Sequence, residues 1–275
     1  MLDFEGTEVL EEEIHGIKVH TVHVRSEQAA EKLKKSLGSY ITIEVDDTLN
    51  EHTKIEDIGE CLAEVLDRIL QPYHHGKLCV CGIGNKDIPA DALGPEVTKN
   101  LPLKVFSVAG VEGNFSEVCA ITPGVPMTNN IDTEVIVKGV VKEIGADCAL
   151  LVDSLVTNEP ARLFRTIQLS SAGGLIPSLA DREAAWSTLD IPVISVGVPL
   201  AILLSALHPG YSQDDQKLTG AEIHRIVAGA GRIIAYAILR ACWPSWSKAE
   251  CFVMSGINSN PIPNSFLLEG EHGEK

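Results

Sequence analysis

Three short apolar runs limit what this chain can fold into: KLCVCGIG at 77–84, DCALLVD at 147–153 and IPVISVGV at 191–198. A strand made from such a run must be covered on both faces, the condition of a parallel sheet held between helices. Helical patterns lie between and after them. ALGPEVTKNL follows the first run. IDTEVIVKGVVKEIG (131–145) precedes the second, with Asp132 or Thr133 as its cap and Gly145 as its stop. GAEIHRIVAGAGRIIAYAILRAC (220–242) is a long helix whose Gly and Ala allow a neighbour to pack closely. LKVFSV (103–108) and RTIQLS supply further strands. The expected fold is α/β, a three-layer, doubly wound, mostly parallel sheet.

Before residue 77 the pattern changes. KVHTVHV and YITIEV (40–45) alternate like half-exposed strands, and SEQAAEKLKKSL between them starts at Ser26 as N-cap and stops at Gly38. KIEDIGECLAEVLDRIL (54–70) then puts Ile55, Ile58, Leu62, Val65, Leu66 and Ile69 on one helical face. The expectation is one domain over 1–275, with 1–50 an N-terminal β/α addition and 243–275 an irregular tail.

Residues 191–207 carry no charge but number only 17 and contain Pro192 and Pro199. A buried strand, a turn at Val198–Pro199 and a buried helix fit better than a membrane span, which needs about 20 residues. The chain is 45% hydrophobic, enough for a real core, and its formal net charge is −16. That charge argues against a nucleic-acid or anionic-membrane binder, both of which need clustered Lys and Arg. Seven cysteines, mostly inside apolar runs, read as free core thiols, and the acidic opening MLDFEGTEVLEEE is no signal peptide. A reducing cytoplasm is expected.

Two acids stand at the ends of apolar runs. Asp91 follows GIGN in GIGNKDIPADALGP (82–95), and Asp153 closes ALLVD. Each taken alone reads as an N-cap or a loop acid satisfied by backbone amides. If the two strands are neighbours, both carboxylates border the crevice at the strands' C-terminal ends, where ligands of such sheets bind. Two close carboxyls share one proton, so one can act as base and the other as acid. The other use of such a pair is to hold a metal with a third ligand, for which His208 in SALHPG is a candidate, although a turn histidine is the plainer reading. GIGNKD has Asp87 where G-x-G-x-x-G needs its last glycine, and no P-loop, H-E-x-x-H or G-x-S-x-G occurs. Cys79 and Cys81 lack a second pair and read as core, and His74–His75 as a solvated turn.

The order and spacing of EEEIHGIKVHTVHV, YITIEV, GIGN…DALGP, VCAITPGV, IDTEVIVKGVVKEIGADCALLVDSL, RTIQLS and TLDIPVISVGVP resemble the germination protease family over most of the first 200 residues. These are endopeptidases of spore-forming bacteria that degrade small acid-soluble spore proteins, and their wider fold is that of hydrogenase-maturation peptidases. The resemblance implies an aspartic-type peptidase with Asp91 and Asp153 as the catalytic pair. It also implies no required cofactor, a homo-oligomer, specifically a tetramer, and a forespore or spore-core cytoplasm. Gly84 and Asn85 would shape the first acid's loop, and Thr122, Pro123 and Gly124 would line the substrate path; no residue is assigned to a metal. Departures accompany the likeness. The family's D-T-G-I-H-P-G-S-G loop is SAGGLIPSL here, with Ser171 and Leu175 in place of Asp and His, and Arg162 is shifted within VTNEPAR. The chain opens near where the mature family sequence becomes recognisable, so no inhibitory propeptide is expected. The alternatives are a degenerate member that acts as a binding scaffold, and a metal-dependent maturation peptidase.

Overall fold

The apolar runs assemble into a single sheet, ordered β1-β2-β3-β7-β8-β6-β4-β5 with β9 paired to β8. The computed structural model describes residues 5–45, 49, 55–103, 112–173, 186, 189–208 and 216–256. The strands are β1 (Thr7–Ile14), β2 (Ile17–Val24), β3 (Gly38–Glu44), β4 (Lys77–Gly82), β5 (Glu117–Ile121), β6 (Cys148–Thr157), β7 (Thr166–Ser170), β8 (Val193–Leu203) and β9 (Lys217–Leu218). The helices are α1 (Glu27–Leu33), α2 (Ile55–Leu70), α3 (Leu93–Lys99), α4 (Pro126–Asn129), α5 (Thr133–Ile144), α6 (Leu204–Leu207), α7 (Ile223–Cys242) and α8 (Lys248–Met254).

β5, β4, β6 and β8 pair in parallel, and these are the expected doubly wound strands. The chain moves from β4 outward to β5, then crosses back to β6 on the other side of β4, so the order reverses between β4 and β6. Helices cover both faces of this block. Val137 and Val141 of α5 pack with Cys79, Cys81, Ala149 and Leu151 on one face. α2, α3 and α7 pack with Leu78, Val80, Leu150 and Val152 on the other. The N-terminal strands continue the same sheet rather than standing apart: β3 pairs antiparallel with β7, and β7 with β8. The sheet is therefore mixed, parallel in the doubly wound block and antiparallel from β8 out to β1.

Local chemistry explains most element ends. Ser26 accepts from the Ala29 amide at 3.2 Å and starts α1, but Lys34, in the left-handed conformation, ends it before Gly38. Gly145 closes α5 as expected, with φ 65°. α3 lies within the expected helix after Asp91, while the expected strand LKVFSV (103–108) lies outside the described residues except for Leu103, which is helical.

Two expectations are corrected. β8 does not turn at Pro199 but runs through it to Leu203, with only the four-residue α6 beyond. Leu155 pairs with Pro199 and Val156 with Ala201, so Leu200 is an extra residue that bulges β8 where the proline has no amide to donate. The segment after Trp243 is not wholly irregular: Ser247 caps α8, its hydroxyl accepting from the Glu250 amide while Glu250 accepts from the Ser247 amide. No helix among the described residues is long and apolar enough to cross a membrane. All seven cysteines are free thiols, and burial pushes Cys61 and Cys148 up to about 12, as expected of core sulfurs.

α2, α7 and α8 meet at a buried carboxylate. Glu60, 8% exposed, accepts from the Tyr236 hydroxyl, from Arg240 Nε at 3.1 Å and lies 3.1 Å from Lys248 Nζ. Burial pushes the Glu60 carboxyl up, but the Tyr236, Arg240 and Lys248 donors together hold it below its ordinary value near 4.5. A lowered carboxyl stabilises the fold fully above the unfolded value and loses that contribution as pH falls through the folded one. Glu60→Ala is expected to cost about 2 kcal/mol in urea unfolding at pH 7, with the difference from wild type shrinking below pH 4.5. An equal difference at pH 7 and pH 3 would contradict this assignment.

Candidate active site

The site is built on the end of β4. Gly82 is its last residue and pairs with Val152 of β6; the Ile83 amide makes the final bond, to Val152 O at 2.8 Å, before the chain leaves the sheet. α3 lies directly over this point. A β-carbon on Gly82 would stand 2.3 Å from Gly94 O, and one on Gly94 would stand 2.3 Å from Ile83 N, so the two backbones touch because neither residue has a side chain.

The loop between them is fixed from within. Gly84 has φ +130°, and a β-carbon there would fall 1.9 Å from Asp91 O. Asn85, 6% exposed, donates its amide to Asp91 Oδ2 at 2.8 Å and accepts the Asp87 amide at 3.0 Å on its own side-chain oxygen. Asp91 itself lies in the 3-10 turn Pro89–Asp91, and Ala92 takes the N-cap position of α3, so the capping role open to Asp91 in sequence is not the one it has. The Pro89–Asp91 turn packs against β6 and β8.

Asp153 is not at a strand end. β6 continues through Thr157, and Asp153 pairs with Gly197 of β8. It is nevertheless partly exposed, the first residue of β6 past the last β4 pair at Val152: of the ten residues of β6, Asp153 alone is partly exposed and the rest are buried. Its Oδ1 accepts the Ser154 amide at 2.7 Å. Ser154, fully buried on the opposite face, accepts the Leu93 amide on its hydroxyl at 3.4 Å and ties β6 to the first residue of α3. Ser154 and Gly197 escaped the sequence reading. Their only signal was a small residue inside an apolar run.

Thr122, Pro123 and Gly124 follow β5, which lies on the far side of β4 from β6. The Thr122 hydroxyl lies 2.6 Å from that of Thr98, Pro123 O accepts from Asn129 and Gly124 O accepts from Thr133, so these residues shape the loop into α5. They share the C-terminal edge of the parallel block with the two acids but sit one strand away.

Among the described residues, no three His, Cys, Asp or Glu side chains are grouped to hold a metal ion, and His208 is exposed at the end of α6. Ser171 pairs with Ser39: its hydroxyl accepts the Ser39 amide at 3.0 Å and its amide donates to Ser39 O at 3.0 Å. Arg162 Nε donates to Glu159 at 2.8 Å. Leu175 lies outside the described residues.

A family model described as germination protease matches residues 1–208. The chain belongs to the germination protease family. The germination protease of Clostridium tetani is 34% identical over 205 residues, 72% of this chain and 64% of that relative. Those of Geobacillus sp. and Priestia megaterium are 34% and 32% identical, over 72% and 73% of this chain and 56% and 57% of their own lengths. The chain thus spans less than two thirds of the length of these relatives. A solved NiFe hydrogenase maturation protease from Thermococcus kodakarensis is 12% identical with a TM-score of 0.36, covering 63% of this chain and 98% of its own.

The glycine contacts are directly testable. Gly84→Ala forces a side chain onto Asp91 O in a left-handed backbone and is expected to cost at least about 2 kcal/mol. Gly139→Ala, within α5 with nothing near its added methyl, is expected to stabilise by about 0.5–1 kcal/mol. Thermal unfolding of both variants checks the pair; a neutral Gly84→Ala would refute the loop geometry.

Proposed function

We propose that this chain is an endopeptidase of the germination protease type, hydrolysing peptide bonds of small acid-soluble spore proteins or a related polypeptide with Asp91 and Asp153 as its acid–base pair. The observation that supports the reading is that the two acids belong to neighbouring strands of the parallel block and their loops. Asp91 belongs to the loop leaving β4, Asp153 is the accessible residue of β6, and the strand order reverses between these two strands. That reversal opens the crevice in which α/β sheets bind their ligands. Family membership supports the choice of chemistry.

In the proposed reaction the ionised carboxylate takes a proton from a water molecule as its oxygen attacks the carbonyl carbon. The protonated carboxyl donates to the carbonyl oxygen. When the tetrahedral intermediate collapses, the C–N bond breaks and the amine leaves with a proton from the pair. Asn85 acts as a positioning residue by holding Asp91 through its amide, and Gly84 lets that contact form. Thr122, Pro123 and Gly124 would meet the substrate on the β5 side. The family resemblance supports a homo-oligomer, a tetramer, in the cytoplasm of a spore-forming cell.

Asp91→Asn and Asp153→Asn are each expected to slow cleavage of a spore protein at least 100-fold, with unfolding temperatures close to wild type and no effect of EDTA on the wild-type rate. The wild-type rate should be bell-shaped in pH, since both the fully protonated and the fully ionised pair are inactive. Full activity in either variant would refute the assignment, and binding of the spore protein without cleavage by wild type would make the chain a scaffold.

A further inference from the structure

The sheet face that carries Asp153 is open farther out. On β2, β3 and β7 the alternate residues Val19, Ile43 and Ile167 are buried in the core with α2. Their neighbours His20, Thr42 and Gln168 are partly exposed on the opposite face. There a groove of about 910 Å³ opens, floored by these three residues. Leu33 and Lys35, at and just past the end of α1, form one wall, and Arg162 and Arg165, from the connection between β6 and β7, form the other. The volume is in the usual range of ligand clefts.

The floor belongs to one row that crosses six strands. Glu11, His20, Thr42, Gln168, Gly197 and Asp153 are successive register partners on β1, β2, β3, β7, β8 and β6. Register partners project to the same face of a sheet. At a strand spacing of about 4.8 Å, Gln168 lies about 10 Å and His20 about 19 Å along this row from Asp153. An extended chain advances about 3.3 Å per residue, so roughly six residues reach from His20 to Asp153.

We propose that this groove binds an extended stretch of polypeptide and delivers the adjoining segment to Asp153; the inference rests on the peptidase reading above and names its substrate path. The lining chemistry selects that occupant. The groove is lined by Glu11, Glu44 and Glu159 and by Lys35, Arg162 and Arg165, three charges of each sign with Arg162 donating to Glu159, in a chain whose net charge is −16. A polyanion would require an excess of cations. A mixed-charge polypeptide fits balanced walls, and its peptide groups find donors and acceptors in Thr42 and Gln168 at one-strand intervals.

Binding is measured apart from cleavage, so the result does not depend on whether the acid pair hydrolyses anything. Fluorescein-labelled, reduced and carbamidomethylated lysozyme, an unfolded chain of mixed charge, is titrated with Asp153→Asn protein at 150 mM salt and followed by anisotropy. Adding Thr42→Trp, which fills the groove from its floor, is expected to weaken binding at least 10-fold. Where that variant fails to fold, Gln168→Arg on the same background is expected to weaken it at least fivefold. Unchanged affinity in a folded groove variant overturns the proposal. So does an absence of binding with the groove intact, or a change of oligomeric state in place of a change in affinity, which would give the groove to a second copy of the chain.

Discussion

The contact on which the rest of the site depends is the meeting of two backbones at Gly82 and Gly94. With a β-carbon on either residue, α3 would have to lift from the end of β4. Without one, the helix starts directly over the strand, and the ten residues between Gly82 and Leu93 must fold back in a tight loop. The Asn85 amide, the Gly84 conformation and the Pro89–Asp91 turn then hold Asp91 at the strand's end. The same approach brings the Leu93 amide to Ser154, so the loop from β4 and the strand β6 are joined two residues after Asp91 and one after Asp153.

Asp153 depends on a different constraint, the unequal lengths of adjacent strands. β4 stops opposite Val152 while β6 and β8 continue, so one side of β6 loses its partner at the residue that carries the charge. Nine buried residues keep the strand in the core, and Asp153 is the one partly exposed residue of the strand. On the other side Asp153 is paired with Gly197, two residues before Pro199, and the bulge at Leu200 lets β8 follow β6 past that proline.

The two halves of the sheet differ in how many faces they bury. In the parallel block the crossover helices lie on both sides, whereas β1, β2 and β3 are joined by short connections and α1, which leave one face with little cover among the described residues. Polar residues at alternate positions of these strands fit that arrangement. The proposed substrate path therefore lies on the half of the sheet that the sequence marks by alternation, and the two candidate acids on the half marked by continuous apolar runs. The buried Glu60 cluster has a separate task, fastening α2, α7 and α8 together on the covered face.

Much of this was legible in the sequence. The face of α2, the Gly145 stop of α5, the long helix α7 and the buried strands around 80, 150 and 195 follow from apolar spacing and cap residues, which act within a turn or two of the chain. Residue type also singled out Asp91 and Asp153, because a carboxylate at the end of an apolar run is conspicuous in one dimension. What the sequence could not give was where strands stop. β6 runs past Asp153 because β8, some 45 residues later, continues to pair with it, and β8 runs past Pro199 because a bulge absorbs the missing donor. Nor could it give the partnership of Gly82 with Gly94, the seat of Ser154 or the row from Glu11 to Asp153. Local spacing fixes which faces are apolar; only the packed sheet decides which backbones touch and which charge is left facing water, because those depend on contacts between residues far apart in the chain.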